Sequence, residues 1–219
     1  MHRKPISSGE SGSCRRLWLT AWVGVVLCGG FWSEAANWRV FNKTTDGLSE
    51  SHTVAVTVSP RGNVLARHGE GGTVSLLDGY SVETLPSPGQ GLYPVYESRT
   101  GQKWTLYAQG LQVLRDGRWE RRPVESIRLE MEANPLRRVR PLPLIPLDHD
   151  NVLCLLSDRL IEYSLMRNEV RLIRRAEATG LGRFLDMTEA RNGGVWVSGA
   201  KGLAKLPGPA RRLEPSSEW

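Results

Sequence analysis

Histidine is the residue type in this chain best suited to bind a metal or to move a proton. His52, His68 and His149 lie beyond the N-terminal region, far apart and without the short spacings that zinc sites usually show. They could share a metal only if the fold brought them to a common axis. We therefore expect histidines in exposed loops, with no metal and no cofactor.

The acidic residues that could form a catalytic pair fall in segments that resemble turns. An aspartate in a turn usually accepts hydrogen bonds from nearby backbone N–H groups. Local stabilisation of the backbone is therefore the expected role of Asp78, Asp116, Asp148, Asp150 and Asp158. Paired catalytic carboxylates stay an alternative that no motif marks.

Cys154 is the one cysteine outside the first 35 residues, and it lies in an apolar run, Val152–Leu156. We predict a buried thiol that is neither a nucleophile nor part of an intramolecular disulfide. The sequence has no Gly-x-Ser-x-Gly elbow, no phosphate-binding loop and no dinucleotide fingerprint. These observations disfavour several common enzyme classes, and we predict no catalytic residues.

A repeated element must position all of these side chains. Each of four copies places a large apolar residue, which we call the anchor, in the first strand of a hairpin: Leu65, Trp104, Leu153 and Trp196. The leading apolar residue of the next strand follows seven positions later in three copies and nine positions later in the first. Gly110 and Gly202 open that next strand in two of the copies. The copies start 39, 49 and 43 residues apart, at Gly62, Gly101, Asp150 and Gly193.

Short strands that repeat at about this period are typical of propeller blades. The sequence therefore predicts an all-β fold, a β-propeller with about four four-stranded blades and an incomplete ring as an alternative. The predicted domain covers residues 36–219, with repeats near 37–91, 92–134, 135–178 and 179–215. Trp104 and Trp196 are predicted to pack between blades. Trp38 and Trp119 are better candidates for a surface role, although packing is the expectation for them too.

Strand bounds follow from the same pattern. The second blade is predicted at 92–97, 103–108, 111–115 and 118–123, and 210–213 is predicted as the outer strand of the fourth. Residues 37–41 look like a further outer strand with no obvious place. Residues 124–133 suit either a helix or a strand, and the prolines after them favour an extended segment up to Asp148.

Two sequence elements resemble a known family. Asp46-Gly47-Leu48-Ser49, and the Gly-x-x-Trp-Val and Gly-Leu-x-x-Leu units of the fourth copy, are similar to the repeats of two-component regulator propellers. The resemblance covers roughly residues 37–213. It implies a periplasmic sensor propeller like those of hybrid histidine kinases and related regulators. No kinase or DNA-binding segment is evident here, so the expectation is that a partner supplies the output or that the chain is a truncated relative.

Residues 1–35 have the parts of an export signal: a basic stretch, an apolar run from Leu17 to Leu27, and small residues at Ser33 and Ala35. We predict a cleaved general secretory signal. A twin-arginine signal at Arg15-Arg16 and an uncleaved membrane anchor are the alternatives. The expected location is periplasmic or extracellular. The net charge of +6 is mild and the basic residues are spread along the chain, so nucleic-acid binding is not expected.

The predicted function is a non-catalytic sensor or binding propeller for an extracytoplasmic ligand or protein, working with a membrane-bound signalling partner. One alternative is an exported propeller enzyme of the lyase or quinoprotein type. Another is a structural module that completes a propeller with another chain. Self-association through exposed blade edges is a further expectation, because unpaired strand edges invite pairing.

Overall fold

The computed structural model describes residues 39–89, 91–138, 140–206 and 209–213. The predicted export signal, residues 37 and 38, and the chain after residue 213 lie outside these ranges. All four blades belong to one compact unit, Phe41–Trp219. None of the helices in the described ranges is long and apolar enough to cross a membrane.

The fold is an all-β propeller of four antiparallel sheets, as the repeat predicts. Counting the strands that the structure describes, three sheets have four and the fourth has three, each in simple up-and-down order. The first strand of each blade lies nearest the axis, and we call β1, β5, β9 and β13 the inner strands. The strands are β1 (Thr53–Val58), β2 (Val64–His68), β3 (Val74–Leu77), β4 (Val82–Leu85), β5 (Val95–Glu97), β6 (Lys103–Tyr107), β7 (Gly110–Arg115), β8 (Arg118–Pro123), β9 (Leu144–Pro146), β10 (Asn151–Leu155), β11 (Arg159–Ser164), β12 (Glu169–Arg175), β13 (Phe184–Glu189), β14 (Val195–Gly199) and β15 (Gly202–Leu206).

In the described ranges, helices are few and short. Helix α1 spans Lys43–Asp46 and α2 spans Glu125–Ala133, so the ambiguous stretch 124–133 is helical. Ile127 and Met131 of α2 are buried in the core between blades 2 and 3, whereas Leu129, which a strand would place on the same side as both, is 52% exposed. Two segments predicted to be extended are instead 3₁₀ turns: Pro135–Arg138 and Ala210–Arg212.

The fourth blade therefore lacks the outer strand predicted at 210–213. Residues 209–213 leave the sheet because the Ala210 N–H bonds to Gly193 O, which turns the chain back over the end of the blade. Ala210 and Leu213 then fill the core between blades 3 and 4. Arg39–Phe41, part of the strand predicted at 37–41, is not in a strand either.

Turn chemistry sets the outer hairpin of blade 2. Asp116 and Gly117 both have positive φ, 47° and 73°, and connect β7 directly to β8 with Arg115 paired to Arg118. Two-residue turns of this kind match the twist of the strands that they join. The pattern Asp-Gly between apolar segments therefore fixes this register from the sequence alone.

Packing between blades follows one rule. In blades 1 to 3 the anchor faces the following blade and shares a buried cluster with an apolar residue on that blade's inner strand, which we call the receiver. Leu65 clusters with Val95, Trp104 with Leu144, and Leu153 with Met187. A single sheet exposes two apolar faces, so each blade is stable only when neighbours cover it.

A buried carboxylate fixes the segment that precedes blade 1. Leu48 packs on the face of blade 1 that points away from blade 2, and two residues later Glu50 is only 7% exposed. Its oxygens accept hydrogen bonds from the N–H groups of Glu70 (2.8 Å), Gly71 (2.9 Å) and Thr73 (3.0 Å), and from the Thr73 hydroxyl. The acidic residue after the Asp-Gly-Leu-Ser element thus holds the wide β2–β3 hairpin in place.

Candidate functional site

The inner strands all end at the same side of the propeller, and each is followed by a short turn. We call these four turns the axial mouth: residues 59–62, 98–101, 147–150 and 190–193. One backbone bond recurs in each turn, joining Ser59 N to Asn63 O, Ser98 N to Gln102 O, Leu147 N to Asn151 O, and Ala190 N to Gly194 O, at 2.7–2.9 Å. The repeat therefore presents four equivalent positions around one axis.

A pocket of about 740 Å³ opens between these strand ends. All four inner strands contribute to its wall, including Thr57, Tyr96, Ile145 and Met187. Burial raises the pKa of Tyr96 to about 12, with further contributions from Asp186 and Cys154. The Tyr96 phenol therefore stays neutral at physiological pH and can serve as a hydrogen-bonding aromatic wall.

Glu97 is the buried carboxylate at this mouth, with 2% exposure. It accepts a hydrogen bond from Asn63 Nδ2 at 2.8 Å and pairs with Arg61 Nη1 at 3.4 Å and Lys103 Nζ at 3.3 Å. Buried carboxylates need such partners, because an unpaired charge away from water is costly. Glu97 thus holds two cations at the edge of the pocket, one of them half-exposed.

A second ion pair spans the mouth from blade 2 to blade 4. Arg99 Nη2 lies 2.9 Å from Glu189 Oε1, and both residues line an adjoining pocket of about 260 Å³. Arg191 lines both pockets, is exposed, and has no ion pair among the described residues. Arg99 and Arg191 therefore line the opening from blades 2 and 4, and Arg61 of blade 1 pairs with Glu97 beside it.

The histidines do not converge. His52 and His149 are exposed, as predicted, but His68 is fully buried in β2, so its prediction as an exposed loop residue is wrong. His68 Nε2 lies 2.9 Å from Ser75 Oγ, and Nδ1 lies 3.2 Å from Thr53 Oγ1. The repeat spacing assigns His68 to the hairpin loop. Strand β2 continues through this residue instead, so its side chain lies inside the blade.

The His68–Ser75 contact has the distance of a nucleophile and its base, yet it sits in a closed environment. Ser75 is 0% exposed and also bonds to Ser49, whose hydroxyl contacts Thr73. Burial lowers the pKa of His68, and the charge of Glu50 offsets this only in part. These hydrogen bonds connect strands within blade 1, and the Ser75 hydroxyl is buried away from any substrate.

Two of the five turn aspartates accept hydrogen bonds from the local backbone, as predicted. Asp78 accepts from the N–H groups of Tyr80 and Ser81, and Asp148 from those of Asp150 and Asn151, all at 2.8 Å. The other three aspartates differ. Asp116 has a positive φ in its turn. Asp150 lies 3.7 Å from Arg115, and Asp158 forms an ion pair with Arg159.

Cys154 is fully buried, as predicted, and burial raises the pKa of its thiol. It packs in the core between blades 2 and 3, beside the Trp104 and Tyr163 pair, whose rings meet edge to face at 6.4 Å. A protonated thiol without access to solvent has no nucleophilic role.

The anchors differ in burial. Leu65, Trp104 and Leu153 are at most 1% exposed, but Trp196 is only partly buried, beside the Lys205 ammonium at 5.3 Å from the ring centre. Its prediction as an inter-blade core residue is wrong, because no blade lies against that face. Trp119 packs against blade 1, which is the favoured expectation for it, and donates from Nε1 to Pro86 O at 2.8 Å.

The two glycines of the repeat also differ. Gly110 has φ +154°, and a Cβ there would lie 2.4 Å from Arg122 O and 2.6 Å from Val124 N, so glycine is required. At Gly202 a Cβ would meet only Leu181 Cδ2 at an ordinary 3.7 Å. Glycine is therefore a sterically required residue in the second blade and a replaceable one in the fourth.

The mouth residues themselves were not among the sequence-predicted sites. Arg61, Arg99 and Arg191 follow the inner strands at closely related positions of the repeat, which is a signal that the sequence does contain. It becomes meaningful only once the ends of the inner strands are known to meet.

Comparison with solved structures finds propeller-like folds at low identity. The extracellular domain assigned to a one-component system from B. thetaiotaomicron matches with a TM-score of 0.50 and 10% identity, over 83% of this chain and 22% of that one. One assigned to a hybrid two-component system of the same organism has a TM-score of 0.46 and 15% identity, over 78% and 22%. Virginiamycin B lyase from Staphylococcus aureus, in an inactive form with quinupristin, has a TM-score of 0.46 and 14% identity, over 78% and 60%.

No protein-family model matches the chain, and no curated protein is significantly similar to it. The chain spans between 22% and 60% of the length of the three structures. At these identities the likeness shows the propeller-like fold and no particular activity.

Proposed function

We propose that this chain is a non-catalytic binding propeller that recognises a carboxylate-bearing ligand at the axial mouth. The observation that carries the proposal is the pocket of about 740 Å³, lined by all four inner strands and bordered by Arg99 and Arg191. Guanidinium groups bind carboxylates through paired, charge-assisted hydrogen bonds.

The charges at the mouth support an anionic ligand. The carboxylates of Glu97 and Glu189 are already engaged by cations, whereas Arg191 is exposed and has no ion pair among the described residues. A ligand carboxylate could bond to Arg191 without breaking an existing pair. The neutral Tyr96 phenol adds an apolar wall with one polar atom, which is a common composition for a small-ligand site.

The same geometry supports binding over catalysis. Glu97 is held by three partners, so it is poorly placed to exchange a proton with a substrate. None of the described histidines lines the pocket. We propose further that the protein is exported, on the features of residues 1–35, and acts as a sensor that passes its signal to a membrane-bound partner, on the resemblance of its repeats to regulator propellers.

Binding is tested by titration calorimetry with two pairs of probes. An oligogalacturonate is compared with its methyl ester, and an acidic peptide with its glutamine counterpart, so that saccharide and peptide sources are distinguished. We expect one acidic probe to bind and its neutral partner not to bind. Arg191→Gln should weaken binding by about tenfold or more, because a charged hydrogen bond contributes roughly 1.5–3 kcal/mol.

Arg118→Gln is the matched control, since Arg118 is an exposed arginine on the outer strand of blade 2. It should leave the affinity unchanged within about twofold. Equal affinity for the charged and neutral probes, or equal losses in both variants, would refute the carboxylate site. Release of product from a bound probe would refute the non-catalytic assignment, and cytoplasmic recovery of the full chain from its host would refute export.

A further inference from the structure

The packing rule between blades leaves one anchor and one receiver unused. The receivers of blades 2, 3 and 4 are Val95, Leu144 and Met187, which are 1%, 5% and 6% exposed. Strand register identifies the equivalent residue of blade 1 as Val56, which pairs with Ala66 as Val95 pairs with Thr105. Val56 is 58% exposed.

The unused anchor is Trp196 of blade 4. It shares its face with Leu203 and Lys205 across the β14–β15 ladder, opposite to the face that packs on blade 3. Leu203 is 63% exposed. Among the described residues no buried cluster combines side chains of blades 1 and 4, so the junction that would bury both Trp196 and Val56 is open.

We propose that a second copy of this chain closes the ring, with Trp196 of each copy packed against Val56 of the other. The two contacts are then identical and related by a twofold axis along the propeller, which makes the assembly closed. Two copies of four blades give eight, within the range that propellers adopt. This inference goes beyond the proposed binding function and rests on different residues.

Complementarity is the reason to favour a second copy. Each internal junction joins an anchor face to a receiver face. Among the described residues Trp196 and Val56 have no such partner, while Leu48 covers a different part of the Val56 face. A copy of the same chain supplies both missing faces at once, in the geometry that the three internal junctions already use. Tryptophan at the free anchor is also the residue type most enriched at the energetic centres of protein interfaces.

The mass of the full chain in solution tests the proposal, measured by sedimentation or light scattering. At concentrations in the tens of micromolar, we expect twice the 24.4 kDa of one chain. Val56→Glu and Trp196→Lys should each raise the dissociation constant of the dimer about 1,000-fold, because each substitution occurs in both contacts and one disrupted central contact costs on the order of 30-fold.

Mixing the two variants gives the sharper test. In a mixed pair one contact keeps the native Trp196 and Val56, and the other places the new lysine against the new glutamate. We therefore expect a dimer to form from two chains that are monomeric alone. Leu129→Lys, an exposed leucine on helix α2, is the control and should leave the mass unchanged.

A wild-type monomer, open-ended polymers, or a mixture that stays monomeric would each overturn the proposal. Circular dichroism of each variant confirms that it is folded before its mass is interpreted. Loss of the dimer with ligand binding at the axial mouth retained would separate this inference from the proposed function.

Discussion

Replacing Glu50 by glutamine removes the charge from a buried carboxylate while keeping its shape. Burial alone would raise the pKa of Glu50, but hydrogen bonds from Thr73, Gly71 and Glu70 outweigh burial and lower the pKa from 4.5 to about 2. A tenfold change in proton affinity corresponds to about 1.4 kcal/mol, so the ionised carboxylate contributes on the order of 3 kcal/mol to stability.

The sign of the pH dependence follows from the lowered pKa. The contribution of Glu50 is fully present above the ordinary pKa of 4.5 and is lost as the pH falls towards about 2. We therefore expect Glu50→Gln to destabilise the protein by about 2–3 kcal/mol at pH 7 and by about half as much at pH 3. The backbone amides of Gly71 and Thr73 should lose their protection from hydrogen exchange in the variant.

Urea denaturation at several pH values measures this difference, and hydrogen exchange locates it in the hairpin after β2. Glu83→Gln is the control, since Glu83 is an exposed glutamate of the same blade, and it should change stability by less than about 0.5 kcal/mol. A cost for Glu50→Gln that is equal at pH 7 and pH 3 would refute the reasoning.

Three further predictions concern the core and the turns. Trp104→Ala should cost about 3–5 kcal/mol in urea denaturation, whereas Trp104→Phe should cost less than about 1.5 kcal/mol, because the buried indole N–H has no hydrogen-bond partner to lose. Gly110→Ala should lower stability by at least about 2 kcal/mol and Gly202→Ala by less than about 0.5 kcal/mol, by the same measurement. Cys154 should resist thiol reagents until the protein unfolds, as peptide mass spectrometry of labelled chains can show.

Each of these has a clear contrary result. Equal costs for the two Trp104 variants would mean that the indole N–H is satisfied. Equal costs at Gly110 and Gly202 would mean that close approach of the backbone does not decide the requirement for glycine. Labelling of Cys154 in the folded chain would mean that the core between blades 2 and 3 opens readily.

Local rules explain why much of the fold was predictable. The repeat spacing and the Asp116-Gly117 turn fix strands and register within a blade, because hairpins depend on neighbouring residues. Helix α2 was ambiguous because Ile127, Leu129 and Met131 suit both periods, and packing against the core between blades 2 and 3 decided it. The outer strand at 210–213 failed because a long-range contact with Gly193 turned the chain away.

The repeat alone determined that this protein is a propeller of about four blades, since alternation, turn residues and period are all properties of nearby positions. Only the tertiary structure decided which of the equivalent positions in the repeat are buried against a neighbouring blade. Leu65, Trp104 and Leu153 are buried by a following blade, whereas Trp196 has none. Likewise, Arg99 and Arg191 lie far apart in the sequence and border one pocket only because the inner strands end together. Burial and convergence depend on which blades meet, and no single repeat contains that information.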